Sequence, residues 1–359
     1  MKIVTIVGTR PEFIRLSRIF PLLDKHCEHI IIHTGQNYDY NLNKIFFKNF
    51  QIKKPSFFLN AKKSFGNQIS IIFKKLEKIL IDIKPDRFLV LGDTNSSLGA
   101  IIAKRLNIPV FHMEAGNRQY NDIVPEEVNR RIIDHSSDIL LPYTQRSCEN
   151  LVREGIERRR IFITGNPIFE VMNYYKKEID SSGILRRLNL VKEKFFLLTS
   201  HRQENVDNPI RLESIVKIIN NLIAIEKMPL VWPIHPRAKL QINKLKLRLN
   251  KLVKLIPPVD FFDFSNLEKN SFCIITDSGT VQEEAAILKK PNLIIRDTTE
   301  RPETIESGSS IIIGVDNNNL NEQLNLASLY YGKEEDILEY AAPNVSQKVL
   351  KILFSRYDF

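Results

Sequence analysis

A chain of 359 residues exceeds what one ordinary hydrophobic core organises, and about 150 residues per domain points to two domains. Hydrophobic residues make up 43% of it and charged ones 26%, the balance of a globular protein rather than a disordered or membrane-embedded one. The net charge of +10 invites a nucleic-acid partner, but the basic residues are scattered. Their densest run, KLQINKLKLRLNKLVKLIPP (239–258), spaces Leu and Ile between lysines at helical intervals and reads as an amphipathic surface helix, so no nucleic-acid partner is expected.

In chain order, short β-branched runs alternate with longer helical patterns. The first half carries KIVTIV (2–7), HIIIHT (29–34), DRFLVLGD (86–93), IPVFHME (108–114) and RIFITG (160–165). The second carries KFFLLTSH (194–201), PLVWPIH (229–235), FCIITD (272–277), NLIIRD (292–297) and SIIIGV (310–315). Unbroken apolar runs, without in/out alternation, imply strands covered on both faces and hence parallel sheets flanked by helices. Between them PEFIRLSRIFPLLDKH (11–26) and FGNQISIIFKKLEKILIDIKP (65–85) carry apolar residues at i, i+3, i+4 and i+7. The expected fold class is therefore α/β, with two doubly wound domains at 1–170 and 171–340. A tail at 341–359 reads as a helix whose docking the sequence leaves open.

Cys27, Cys148 and Cys273 are widely spaced and fit a reducing compartment. The N-terminal apolar run is too short for a signal-peptide core, and no apolar stretch approaches the ~18 residues a membrane span needs. A cytoplasmic protein with no membrane partner is the expectation.

In open α/β sheets ligands bind beyond the carboxyl ends of the strands. Polar residues gather there in seven places: Thr9-Arg10, Gly92-Asp93-Thr94-Asn95, His112-Met113-Glu114, His201-Arg202, His235-Pro236-Arg237, Asp277-Ser278-Gly279 and Arg296-Asp297. Each alone reads equally well as a turn or a helix cap. Together they argue for a site. GTRPE places Arg10 at the positive end of a helix opened by Pro11, an arrangement that attracts anions. Ser278-Gly279-Thr280 offers a second helix start, with Glu283 or Glu284 a turn inside, where a carboxylate can accept ribose hydroxyls. Neither GxGxxG nor a P-loop nor HExxH is present, so bound NAD, P-loop ATP and a metal are not expected. Asp93, Glu114, Glu126, Glu127 and His201 remain as titratable candidates, with Arg10, Arg15, Arg130 and Arg301 as anion partners. PEEVNRR (125–131) reads equally well as an exposed helix start, with Glu127 and Arg131 on its surface.

With these residues assembled, the chain resembles the non-hydrolysing UDP-N-acetylglucosamine 2-epimerases. The likeness runs from Gly8 to about Pro302 and is carried by GTRPE, GDT, HMEAGNR, PEEVNR, SHRQEN, HP, TDSGTVQEEA and RDTTERPE, in that order. The resemblance implies two Rossmann-like domains facing a cleft in the glycosyltransferase-B arrangement, a homodimer, a UDP-sugar substrate and no cofactor. By matching position, it implies that Asp93, Glu114, Glu126 and His201 are catalytic. It likewise implies that Arg10, Arg15, Arg130, His235, Ser278, Gly279, Glu284 and Arg301 bind the nucleotide and its phosphates.

The chemistry agrees with that family. The C2 hydrogen of an N-acetylhexosamine is not next to a carbonyl, so it cannot simply be removed and returned. Either a nicotinamide oxidises C3 first, for which no motif is present, or UDP leaves C1 as the C2 proton is taken. The resemblance implies the second route, through a 2-acetamidoglucal, in making precursors of bacterial surface polysaccharide. Which carboxylate removes the proton and which returns it is left open. The chain departs from the family pattern at Asn117, where relatives read EAGLR, and at Thr280, where they have a second Gly. TGQNYDY (34–40) together with HMEAGNR resembles the branch that forms UDP-N-acetyl-L-fucosamine from its 2-epimer. A glycosyltransferase of the same fold is the alternative from another class.

Overall fold

The apolar runs pair edge to edge as parallel strands, because each has helices to cover both of its faces. The computed structural model describes residues 1–35, 49–62, 64–122, 124–315, 319–329, 331–332 and 335–357. The TGQNYDY stretch lies outside these residues from Gln36 onward. Two compact units emerge, Met1–Val171 with Leu338–Phe359, and Met172–Ile337.

The first unit holds β1 (Lys2–Val7), β2 (Glu28–His33), β3 (Phe57–Phe58), β4 (Arg87–Leu91), β5 (Val110–Met113) and β6 (Ile139–Leu141). They form one sheet in the order β3-β2-β1-β4-β5-β6. The second holds β7 (Phe196–Thr199), β8 (Leu230–Pro233), β9 (Val253–Ile256), β10 (Cys273–Thr276), β11 (Asn292–Ile294) and β12 (Ser310–Ile312), ordered β12-β11-β10-β7-β8-β9. All pairings are parallel. Both sheets are thus doubly wound in the same order, as the apolar runs predicted. Each reverses its winding once, between β1 and β4 and between β7 and β10, and that point is where such sheets take ligands.

Helices follow the expected periodicity. Phe65–Ile83 turns Ile72, Leu76 and Leu80, at i, i+4 and i+8, into the first unit's core and stops at Lys84, whose φ is +50°, with Pro85 next. Residues 11–26 form two helices, Arg10–Leu16 and Phe20–His26, with Pro21 in the first turn of the second.

Three expectations are corrected. Residues 239–258 are not one helix: the helix ends at Lys244, and Val253–Ile256 becomes edge strand β9, where a lysine between apolar residues is tolerated on a half-covered face. RIFITG is no strand and keeps a single bridge, Ile161 to Leu140. The sixth strand of the first sheet is instead Ile139–Leu141, three residues long and too short to register as a periodic run.

The tail docks on the first unit. Its helix, Val345–Phe354, buries Val345, Val349 and Leu353 at i, i+4 and i+8. Arg87 donates to the carbonyl oxygens of Leu353 and Ser355, and its guanidinium lies 5.2 Å from the Phe111 ring centroid and 5.9 Å from that of Tyr357. Among the described residues, no helix is long and apolar enough to cross a membrane.

Candidate active site

In the first unit the candidate residues lie at the carboxyl ends of β1, β4 and β5 and on the helix Pro125–Ser136. Glu114 directly follows β5 and adopts φ +64°, the left-handed region that an L side chain enters only when its surroundings hold it there. Its amide donates to the Leu141 carbonyl at 3.1 Å. Its carboxylate pairs with Arg15, both side chains being nearly buried, and Arg15 lies 5.6 Å from the Tyr143 ring centroid. Asn117, also buried, donates to Glu114 Oε1 at 3.4 Å and accepts from Ser147 Oγ at 2.9 Å. The residue that departs from the family motif therefore touches the candidate base.

Asp93 follows Gly92 at the end of β4 and accepts from Arg130 Nε at 2.7 Å. The same guanidinium donates from Nη1 to Glu127 Oε2 at 2.7 Å. Glu127 is not helix surface. It is wholly buried and accepts the Gln119 and Tyr120 amides at 3.1 and 3.0 Å, so it fastens the loop after β5 to the helix. Arg131 is partly exposed and pairs with Asp122 at 3.1 Å, as a surface residue would. Glu126 is half-buried in the first turn, without a hydrogen bond or ion pair among the described residues. Arg10 is half-buried at the start of Arg10–Leu16. Arg15, Glu114, Asp93 and Arg130 thus come together as two ion pairs. Glu126 stands in the first turn of Pro125–Ser136 and Arg10 at the end of β1.

In the second unit the candidates gather at the ends of β7 and β10. Asp277 is fully buried and accepts from the amides of His201 (3.1 Å) and Arg202 (3.2 Å), from Ser200 Oγ (2.9 Å) and from Asn205 Nδ2 (3.0 Å). It shapes the turn that presents the exposed His201 ring, whose Nδ1 lies 3.5 Å from Asp277 Oδ1. Ser278 precedes the helix Gly279–Ile287 at its N-cap position, and its hydroxyl lies 2.9 Å from that of Thr280. A Cβ on Gly279 would lie 2.6 Å from Glu300 Oε1, so that carboxylate would have to shift to admit a larger residue. Arg301 pairs with Glu283, which leaves Glu284 as the acid one position on, buried beside Glu268. Burial and then the neighbouring Glu284 push the Glu268 carboxyl well above the usual range. His235 is exposed and caps Pro236–Lys244, its Nδ1 accepting the Arg237 amide at 3.3 Å. It takes no part in the β7–β10 cluster's hydrogen bonds.

A family model described as UDP-N-acetylglucosamine 2-epimerase matches residues 23–354. The chain belongs to that family. It is 43% identical over 88% of each chain to the UDP-N-acetylglucosamine 2-epimerase of Methanocaldococcus jannaschii. It is 38% identical, again over 88% of each, to the UDP-2,3-diacetamido-2,3-dideoxy-D-glucuronate 2-epimerase of Pseudomonas aeruginosa. The solved structure of the Methanocaldococcus jannaschii enzyme in complex with UDP-GlcNAc and UDP superposes with a TM-score of 0.92 over 98% of this chain and 99% of that one, at 40% identity. The Neisseria meningitidis UDP-GlcNAc 2-epimerase bound to UDP-GlcNAc gives 0.90 over 99% and 100%, at 29%. As a member of this family the protein is a carbohydrate epimerase.

Seen as a 2-epimerase, the chain also holds buried charged groups that its motifs alone do not single out. Glu12 of GTRPE is buried and accepts the Gly8 amide (2.9 Å), the Thr9 amide (2.6 Å) and hydroxyl (2.7 Å), and the Thr94 hydroxyl (3.1 Å). Burial outweighs these bonds and pushes its carboxyl up to about 7. His112 and Asp134 form a second such group, 2.8 Å apart in the core of the first unit. The available signal was spacing: Glu127, Arg130 and Asp134 at i, i+3 and i+7 mark a charged stripe on a helix face that also carries buried Ile133.

Proposed function

We propose that the protein inverts C2 of a UDP-2-acetamido sugar without net hydrolysis. A carboxylate of the first unit takes the C2 proton while the bond from C1 to the UDP oxygen breaks, leaving a 2-acetamidoglucal and UDP. UDP then adds back to C1 as C2 is protonated on the opposite face. The observation that carries this reading is the pair of arginine-bound carboxylates at the strand ends, Arg15–Glu114 and Arg130–Asp93, with Glu114 held at φ +64°. Glu114 is one half of an ion pair with Arg15, and the strained backbone aims it at a fixed place. Asp93, Glu126 and His201 complete the proton-handling set. Arg10, Arg15, Arg130, His235, Ser278, Gly279, Glu284 and Arg301 hold the nucleotide. Arg15 and Arg130 also fix the carboxylates on which they sit.

UDP-N-acetylglucosamine and its manno epimer are the first substrates to try, given the names of the relatives. The P. aeruginosa relative's diacetamido-glucuronate and a 6-deoxy-L-hexose bearing a 2-acetamido group are the next. The product would supply a surface-polysaccharide precursor, made in the cytoplasm by a homodimer. The deciding experiment incubates the protein with this panel in D2O. Deuterium at C2 of the recovered sugar nucleotide, with no accumulation of free UDP, is expected. Turnover that releases UDP and free sugar, or that requires an acceptor and leaves C2 unlabelled, refutes the reading.

A further inference from the structure

Three left-handed backbone positions cluster at the ends of β4 and β5: Gly92 at φ +68°, Glu114 at +64° and Gly116 at +79°. The two glycines lie on one buried polar network, and Glu114 stands between them in sequence. His112 on β5 points Nε2 at the Gly92 carbonyl, 3.0 Å away, and Nδ1 at Asp134 Oδ1, 2.8 Å away. Asp134 Oδ2 takes the Gly116 amide at 3.2 Å and Arg118 Nη2 at 2.8 Å, and Arg118 Nε reaches Glu154 at 2.7 Å. The Gly92 amide returns to the Met113 carbonyl at 2.9 Å, closing the ring between the two strands. His112 and Asp134 are 1% and 0% exposed, so no water substitutes for these bonds.

A carbonyl oxygen only accepts. Burial alone would raise the Asp134 carboxyl, but His112 and Arg118 outweigh it and hold it below the usual carboxylate range, so it too accepts. Both ring nitrogens of His112 thus face acceptors, which holds the ring between the Gly92 carbonyl and Asp134. The acid of the proposed reaction chemistry nearest in sequence, Glu114, is neutralised separately by Arg15.

We infer that His112 is a positioning residue of the proton-transfer site: clamped between Asp134 and the Gly92 carbonyl, it fixes the left-handed turns that carry Asp93 and Glu114. The inference rests on the C2-epimerase reading for its kinetic test and not for its spectroscopic one. Left-handed non-glycine backbone persists only where the surroundings over-determine it; His112 bonds the Gly92 turn directly and the Gly116 turn through Asp134.

His112→Gln keeps a donor near the Nε2 position, whereas His112→Asn keeps one near Nδ1 only. Displacement of reacting groups by about an ångström costs on the order of 10²-fold. His112→Asn is therefore expected to lose about 10²-fold in kcat, with His112→Gln several-fold better and UDP affinity by calorimetry within about threefold in both. Equal kcat in all three proteins, or loss of UDP affinity in parallel with kcat, overturns the inference. Absence of C2 exchange in the unmodified protein overturns the functional reading instead. The second measurement uses the unmodified chain with 15N-labelled histidine, His112 being assigned by its loss from the His112→Gln spectrum. Both His112 ring nitrogens are expected to show the shifts of hydrogen-bonded nitrogens, insensitive to added solvent exchange. A ring nitrogen with the shift of a solvated imidazole overturns the clamp.

Discussion

Glu12 makes the sharpest stability prediction, because its burial and its bonds pull in opposite directions. The side chain is 2% exposed, and desolvation raises its carboxyl from 4.5 to about 7 against four hydrogen bonds that favour the anion. At ~1.4 kcal/mol per pH unit, that gap is worth roughly 3 kcal/mol. Below pH 4.5 the group is protonated whether the chain is folded or unfolded, and its contribution is fully present. Above it the unfolded chain ionises while the folded one keeps its proton, so stability falls until the pH passes about 7 and then stays level. Glu12→Gln stays neutral throughout. Its carbonyl can take the amides of Gly8 and Thr9, while its NH2 faces Thr94, whose hydroxyl turns to accept.

The unmodified protein alone will not reveal this slope. Burial pushes His33 down to about 4, so its contribution is present above pH 6.5 and lost as the pH falls toward 4, the opposite trend. His33 is common to both proteins, and their difference cancels it. Urea unfolding from pH 4.5 to 8, followed by far-UV circular dichroism, is the assay. The single tryptophan, Trp232, belongs to the second unit, so its fluorescence supplies an internal reference. Relative to the unmodified protein, the variant should gain roughly 3 kcal/mol in the first unit between pH 4.5 and 8. A difference that stays constant across that range refutes the reasoning.

Glu114→Gln should abolish C2 exchange while leaving UDP affinity within a few-fold, because it removes a proton acceptor and no phosphate contact; exchange at the normal rate would remove Glu114 from the chemistry. Gly116→Ala meets two obstacles, φ +79° and a Cβ driven into the Ser147 carbonyl oxygen. It should cost the first unit roughly 2–4 kcal/mol, read by the same unfolding assay, and a loss under 1 kcal/mol would contradict the packing. Gly279→Ala puts a methyl group 2.6 Å from Glu300 Oε1, which Arg202 holds at 2.9 Å. Calorimetry should show UDP affinity falling at least about tenfold with the fold intact, and unchanged affinity would mean that the nucleotide does not approach this helix start.

The sequence made the interior strands legible because burial on both faces writes them as unbroken apolar runs; Phe196–Thr199 and Cys273–Thr276 needed no further cue. It failed at the edges. Val253–Ile256 has one half-covered face and a lysine, which periodicity reads as helix, and Ile139–Leu141 is too short to have a period at all. At the site, residue types were legible and partners were not. Arg15 meets Glu114 from 99 positions away, a pairing set by the β1–β4–β5 order and by nothing local.

The buried acids follow one pattern. At three strand ends that carry candidate residues, main-chain amides are taken by carboxylates that do no chemistry in the proposed reaction. Glu12 takes Gly8 and Thr9 after β1, Asp134 takes Gly116 after β5, Glu127 takes Gln119 and Tyr120 further along that loop, and Asp277 takes His201 and Arg202 after β7. A turn at a strand end leaves amides that neither the ladder nor a helix can use, and burial makes an unpaired one expensive. A carboxyl group can accept several at once on its two oxygens. The acids therefore divide by what they accept from: Glu12 and Asp277 accept from amides and hold turns, whereas Asp93 and Glu114 accept from arginine side chains. Glu127 and Asp134 accept from both, and their amide bonds place them with the former. A motif lists these acids side by side, and only their donors separate them.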